Sequence, residues 1–206
     1  MTRTNVSEQL FEQFCEVNGI QCQRISPGLE RSPDYDLRIH GTRVVCEVKQ
    51  IDPNPEEKEV FKRAATGRSA GFWIGNRVRD KLKDVSAQLK AATASGLPTM
   101  LVVYNNTAAF DYTGHSKIVQ AMFGHKSFRI SWPDEHGSDP QVSPPFFGAN
   151  RGMTKNQNTA VSALAALDRH QGGQLKLRLY PNPFAAVPLP AQIFHGLPVE
   201  QPSDPI

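Results

Sequence analysis

The stretch from Pro33 to Lys49 constrains this chain more than any other. Tyr35, Leu37 and Ile39 alternate with Asp34, Asp36 and Arg38; beyond Gly41, Val44, Cys46 and Val48 alternate with Val45, Glu47 and Lys49. Period-two alternation on both sides of a short glycine-containing turn predicts a β-hairpin. Two registers satisfy the turn. With Gly41 and Thr42 as loop residues, Asp36 faces Glu47 and Asp34 faces Lys49; with His40 and Gly41, Asp34 faces Glu47. The registers differ by two residues, so both leave Asp34, Glu47 and Lys49 on one face. Directly opposed side chains stand within about 5 Å, and the other face of the hairpin is apolar.

Two clustered carboxylates beside a lysine have a chemical use. Hard divalent cations such as Mg²⁺ take oxygen ligands, usually one or two carboxylates with waters and substrate phosphates. The order Pro33-Asp34, hairpin, Glu47-Val48-Lys49 resembles the signature of the PD-(D/E)xK nuclease superfamily. The resemblance implies Mg²⁺ or Mn²⁺ held by Asp34, Glu47 and the Val48 carbonyl, with Lys49 orienting the attacking water and stabilising the transition state. In one of the two registers Asp36 competes with Asp34 for this role.

What flanks the hairpin agrees in order with that family. Residues 5–18 read as an amphipathic helix with Val6, Leu10, Phe14 and Val17 at helical spacing, widened by Phe11 and Cys15. Asn5 or Ser7 can cap it, and Gly19 ends it. Glu8 and Glu12 lie one turn apart on one side. The resemblance implies that an acidic residue of this helix faces the metal site; Glu8 is the choice by its distance from Gly19, with Glu12 as the alternative. Residues 21–25 form a strand with Cys22 and Ile25 inward, and residues 26–32 a turn-rich connector.

After the hairpin, residues 51–76 break the pattern, apart from a short helix over 56–65, and a long loop at this place begins beside the site. Its Lys62, Arg63 and Arg68, with Phe72 and Trp73, suit phosphate contacts and base stacking; a surface loop whose aromatics tuck into the core is the equal alternative. Residues 76–94 form the clearest helix, with Val78, Leu82, Val85 and Leu89 in one stripe. Arg77, Arg79, Lys81 and Lys83 crowd its first half, against the helix macrodipole; an anionic partner accounts for that placement, and a solvated charge face is the alternative. The resemblance adds Gln88 as a polar residue approaching the site. Residues 100–104 are an unalternating apolar run, a strand buried on both faces.

The expected fold is therefore α/β, with a restriction-endonuclease-like αβββαβ core over about residues 5–106. Residues 107–206 form a C-terminal extension packing on it, in one domain. In that extension the sequence predicts a helix over 116–123, a strand over 127–132, a loop over 133–154 and a strand over 175–180. Residues 161–167 can be strand or helix. The proline-rich end from Val187 reads as an irregular tail across the surface.

Composition sets the remaining bounds. A chain of 206 residues can bury a sizeable single core, and a net charge of +3 permits a nucleic-acid partner without demanding one. Cys15, Cys22 and Cys46 have no metal-like spacing and the six histidines form no zinc-like pair. No Walker loop, dinucleotide fingerprint or nucleophile elbow occurs. No apolar run of membrane length is present, and a cytoplasmic protein without a leader, with reduced thiols and no membrane partner, is expected. The resemblance implies a metal-dependent endo- or exonuclease acting on DNA rather than RNA, as a homodimer or as a subunit of a larger complex. The alternatives are a nucleic-acid-binding module on the same fold that does not cut, and an unrelated α/β scaffold.

Overall fold

The computed structural model describes residues 5–26, 32–69, 75–107, 110–132 and 139–200. A seven-stranded mixed sheet runs through it, in the order β1 (Gln21–Arg24), β2 (Tyr35–Ile39), β3 (Thr42–Ile51), β4 (Thr99–Asn105), β9 (Ala163–Arg169), β10 (Leu175–Pro181) and β11 (Val199–Glu200). β1, β2 and β3 are antiparallel neighbours. β3, β4 and β9 are parallel, β10 returns antiparallel to β9, and β11 lies parallel to β10. Helix α1 (Val6–Val17) covers one face; α3 (Arg77–Ala94) and α4 (His115–Phe123) cover the other. α2 (Pro55–Ala65) stands between β3 and α3.

The hairpin takes the register in which His40 and Gly41 form the turn: Ile39 pairs with Thr42 and Tyr35 with Cys46. His40 and Gly41 have φ of 47° and 80°, the two positive values that the tight turn matching strand twist requires. The Gly41–Thr42 register is thereby excluded, and Asp36 pairs with Val45 instead of Glu47. Neither hairpin face is open. Leu37, Val44, Cys46 and Val48 pack under α1, and Val45 packs under α3 beside Leu101 and Val103.

α1 is capped by Asn5, whose Oδ1 accepts from Glu8 N–H at 2.9 Å, and Gly19 follows with φ 64°. Its buried stripe is Leu10, Phe11, Phe14 and Cys15 with Ser7, while Val6 and Val17 stay exposed at 43% and 77%. The stripe is thus rotated from the one expected, because the helix lies on Tyr35 and the Phe11 ring packs against that ring at 5.5 Å. All three cysteines are free thiols, with Cys15 and Cys46 buried.

Residues 51–76 hold the short helix expected there. β3 continues to Ile51, and α2 begins at Pro55 under a capping box: Asn54 Oδ1 accepts from Glu57 N–H and Glu57 Oε2 from Asn54 N–H. Phe72 and Trp73 lie outside the described residues, as does most of the connector before Ser32. Glu57 is fully buried and also accepts from Arg77 at 3.3 Å and from the Tyr112 hydroxyl; burial and that carboxylate push Tyr112 up to about 12. Arg77 in turn lies over the Tyr112 ring at 5.2 Å. This knot fastens α2 to α3 and to the segment before α4. Glu57→Ala is expected to cost about 3 kcal/mol in urea unfolding, since it strands Arg77 and two other donors; a loss below about 1 kcal/mol would assign the knot to the surface.

The second half corrects three expectations. Residues 161–167 resolve to strand β9, buried in the middle of the sheet between β4 and β10, so residues 107–206 are not an addition packed on a finished core. The strand expected over 127–132 is two short pieces, β5 (Lys126–Ser127) and β6 (Ile130–Ser131). They pair with β8 (Phe146–Phe147) and β7 (Gln141–Val142), inside the stretch whose composition reads as loop. The proline-rich tail is anchored: Leu189, Ile193 and Phe194 are buried on the α1 side before β11 joins the sheet.

Candidate active site at the open end of the hairpin

The β2–β3 ladder stops at Tyr35 and Cys46, and beyond it side chains replace backbone pairing. Asp34 N–H donates to Glu47 Oε2 at 3.0 Å, and Val48 N–H donates to Asp34 Oδ2 at 2.8 Å. On its other side Asp34 C=O accepts from Ile25 N–H at 2.9 Å. Asp34 is therefore locked between β1 and β3 with its second carboxylate oxygen unengaged among the described residues. In an extended strand, N–H and C=O of one residue project to the same side, as when a residue pair exchanges both bonds. Val48 aims its N–H at Asp34, so its carbonyl is presented toward the same space.

Glu47 is fully buried, with Leu101 beside it on β4 and α3 above it. Its Oε1 accepts from Lys49 Nζ and, at 2.9 Å, from Gln88 Nε2 on α3. The Lys49 side chain is 27% exposed and reaches solvent from the same face. Burial pushes the Glu47 carboxyl above the usual carboxylate range; Lys49 pulls it back, the neighbouring Asp34 charge adds to the rise, and Gln88 opposes it.

A carboxyl whose folded pKa exceeds its unfolded one binds its proton more tightly in the fold. The associated stability is complete at low pH and is lost as pH rises through the folded value. The contribution of Glu47 to metal-free stability is therefore expected to fall as pH rises from the ordinary carboxylate range. Glu47→Gln, which keeps an oxygen for Asp34 N–H, flattens that slope. Urea midpoints measured from about pH 4 to about pH 8 check this, and equal slopes in both proteins would contradict it.

The other candidates fall in different places. Glu8 is paired with Arg24, and Glu12 accepts from the Tyr35 hydroxyl at 2.7 Å with Arg24 at 3.9 Å. Both glutamates share one side of α1, but Arg24, beside Tyr35 in the sheet, neutralises them as a separate acidic group. Among the described residues, no set of three or more His, Cys, Asp or Glu side chains is gathered to hold a metal ion. Asp36 is held away by Arg43 at 2.9 Å. Arg77 is bound to Glu57, and Arg79 donates to the Gln120 carbonyl at 3.0 Å. Both therefore have partners inside the protein near the start of α3. Lys81 is half-buried, and Arg68 is exposed after α2.

Two contributors had no signal in the sequence. Gln50 Oε1 accepts from Ser7 N–H at 2.8 Å, seating the start of α1 against the strand that carries Lys49. Arg24 gains its role only through the β1–β2 register. No family model, curated protein or solved structure matches this chain. Among the described residues no helix is long and apolar enough to cross a membrane.

Proposed function

We propose that this chain is a metal-dependent nuclease hydrolysing phosphodiester bonds, in DNA rather than RNA, on a restriction-endonuclease-like core. The observation that carries the reading is the crossed arrangement of Asp34, Glu47 and Val48 at the end of the hairpin, with Lys49 and Gln88 closing on Glu47. The element order α1, β1, β2, β3, α3, β4, with α2 intercalated, supports it.

The donor set suits a hard cation. Asp34 brings a carboxylate oxygen with no partner among the described residues, Glu47 a second carboxylate, and Val48 a backbone carbonyl, all oxygen ligands of the kind Mg²⁺ and Mn²⁺ take. A bound ion supplies a water of lowered pKa and offsets charge on the phosphate. Lys49, with a mobile stem and three donors, turns from Glu47 to the phosphate as negative charge builds there. Water adds to phosphorus, one P–O ester bond breaks, and the leaving oxygen takes a proton.

Gln88 holds Glu47 from α3 and acts as a positioning residue. Gln88→Leu is expected to slow cleavage by about 10–100-fold, the usual effect of losing a partner of a ligand. An unchanged rate would remove Gln88 from the site.

One observation favours a second reading, a nucleic-acid-binding module that does not cut: both Glu47 oxygens already accept from protein donors. Thermal unfolding with Mn²⁺ separates the two. The nuclease reading expects stabilisation of about 2.7 kcal/mol at a hundredfold excess over Kd, abolished in Asp34→Asn. No stabilisation at saturating Mn²⁺ favours the non-cutting module.

A further inference from the structure

All three thiols of the chain gather on the α1 side of the sheet, and two of them touch. Cys15 lies in the buried stripe of α1, Cys46 of β3 belongs to the same apolar cluster, and Cys22 of β1 packs against it. β1 is an edge strand, and its Cys22 pairs with Leu37, which packs under α1. Residues paired across neighbouring strands share a face, so Cys22 points toward the helix. The turn after α1 closes the remaining gap. Gly19 takes φ 64°, and Ile20 N–H donates to Cys15 C=O at 2.9 Å. That reversal lays β1 back along the last turn of the helix, where the Cys15 and Cys22 thiols meet as hydrogen-bond partners.

The two thiols of the pair are unlike. Cys15 is buried, and the hydrogen bond with Cys22, followed by burial, holds its pKa well above the ordinary thiol range. Cys22 is half-buried on the edge strand, and the hydrogen bond with Cys15 brings its pKa down against the effect of burial. A solvent-reachable thiol of lowered pKa is the one that attacks, and a second thiol poised beside it resolves the product. Cys46 has neither property. It is wholly buried, and its thiol donates to the Glu47 carbonyl at 3.8 Å.

We propose that Cys15 and Cys22 are a disulfide-forming site, closed by exchange with a small-molecule disulfide. The Cys22 thiolate attacks one sulfur of the oxidant, whose S–S bond breaks and releases the first thiolate. The mixed disulfide on Cys22 is then attacked by Cys15 at the Cys22 Sγ. The Cys15–Cys22 bond forms, the mixed bond breaks, and the Cys15 proton leaves with the second thiol. Two electrons pass from the pair to the oxidant. The new bond fastens the last turn of α1 to the edge strand. Neither metal nor nucleic acid takes part, so the site stands whether or not the chain is a nuclease.

The test is tryptic mapping of the native full chain after treatment with oxidised glutathione, at a concentration that oxidises the urea-unfolded chain, followed by acid quenching and alkylation in urea. Cleavage after Arg3 and Arg24 leaves Cys15 and Cys22 in one peptide, residues 4–24, and cleavage after Arg43 and Lys49 leaves Cys46 in another. The expected result is a peptide 4–24 that is two hydrogens lighter and unalkylated, with Cys46 fully alkylated and the change reversed by dithiothreitol. Cys15→Ala is expected to stop the reaction at glutathione on Cys22. A wild-type peptide 4–24 that stays alkylated at both thiols overturns the proposal. So does glutathione retained on wild-type Cys22, or a cross-link that includes Cys46. An unmodified Cys22 in Cys15→Ala overturns its role as the attacking thiol.

Discussion

Lys49→Met is expected to slow single-turnover DNA cleavage by roughly two to three orders of magnitude, while Mn²⁺ and DNA affinities stay within a few fold. Methionine keeps the apolar stem that crosses the face beside Val103 and removes only the charge and the donors. A lysine that serves mainly the transition state lowers rate much more than binding when it is lost. Lys49→Arg is also expected to be impaired, because the planar guanidinium is larger and presents its donors as a fork. If Lys49 only offsets the buried Glu47 charge, the opposite pattern follows: metal affinity rises in Lys49→Met and the cleavage rate holds. Single-turnover rates and binding isotherms taken on the same preparations decide between these outcomes.

Asp34→Asn and Glu47→Gln are each expected to reduce cleavage below detection and to remove stabilisation by Mn²⁺, with the metal-free fold intact. The amides are chosen for the hydrogen bonds they preserve. In Asp34→Asn the side-chain carbonyl still accepts from Val48 N–H, and in Glu47→Gln it still accepts from Asp34 N–H. Neither backbone donor is then stranded. Glu47→Gln also relieves a buried charge, which offsets the loss of the oxygen that accepts from Lys49 and Gln88, and its metal-free stability at neutral pH is expected to stay near wild type. Alanine at either place would confound the result by leaving a donor unpaired. A variant that cuts at the wild-type rate would show that its carboxylate is no ligand. The pair Glu8–Arg24 gives a control: Glu8→Gln on the separate acidic group is expected to cut far better than Asp34→Asn.

The parts of this fold that were readable in the sequence are those fixed by local period. The alternation around Gly41 defined β2 and β3, helical spacing defined α1 and α3, and the run at Met100 defined β4. Asp34, Glu47 and Lys49 were legible as a group because both registers put them on one face. Which register holds was not legible, since it depends on His40 accepting a positive φ. β9 was ambiguous because Ala163, Ala165 and Ala166 have little strand preference; burial between β4 and β10 makes it a strand. The partners of Glu8, Arg77 and Arg79 come from contacts between elements distant in the chain. No local pattern encodes such pairings. Basic residues crowding a helix start looked like a surface for anions, yet two of them serve the interior.

The most direct test of the central claim is cleavage of an end-labelled DNA panel, single-stranded, duplex and branched, by the wild-type chain with Mn²⁺ or with EDTA. The expected result is fragments from at least one substrate that require the metal and are absent with Asp34→Asn. Intact DNA across the whole panel, or fragments that Asp34→Asn and Glu47→Gln still produce, would contradict a phosphodiesterase centred on this hairpin.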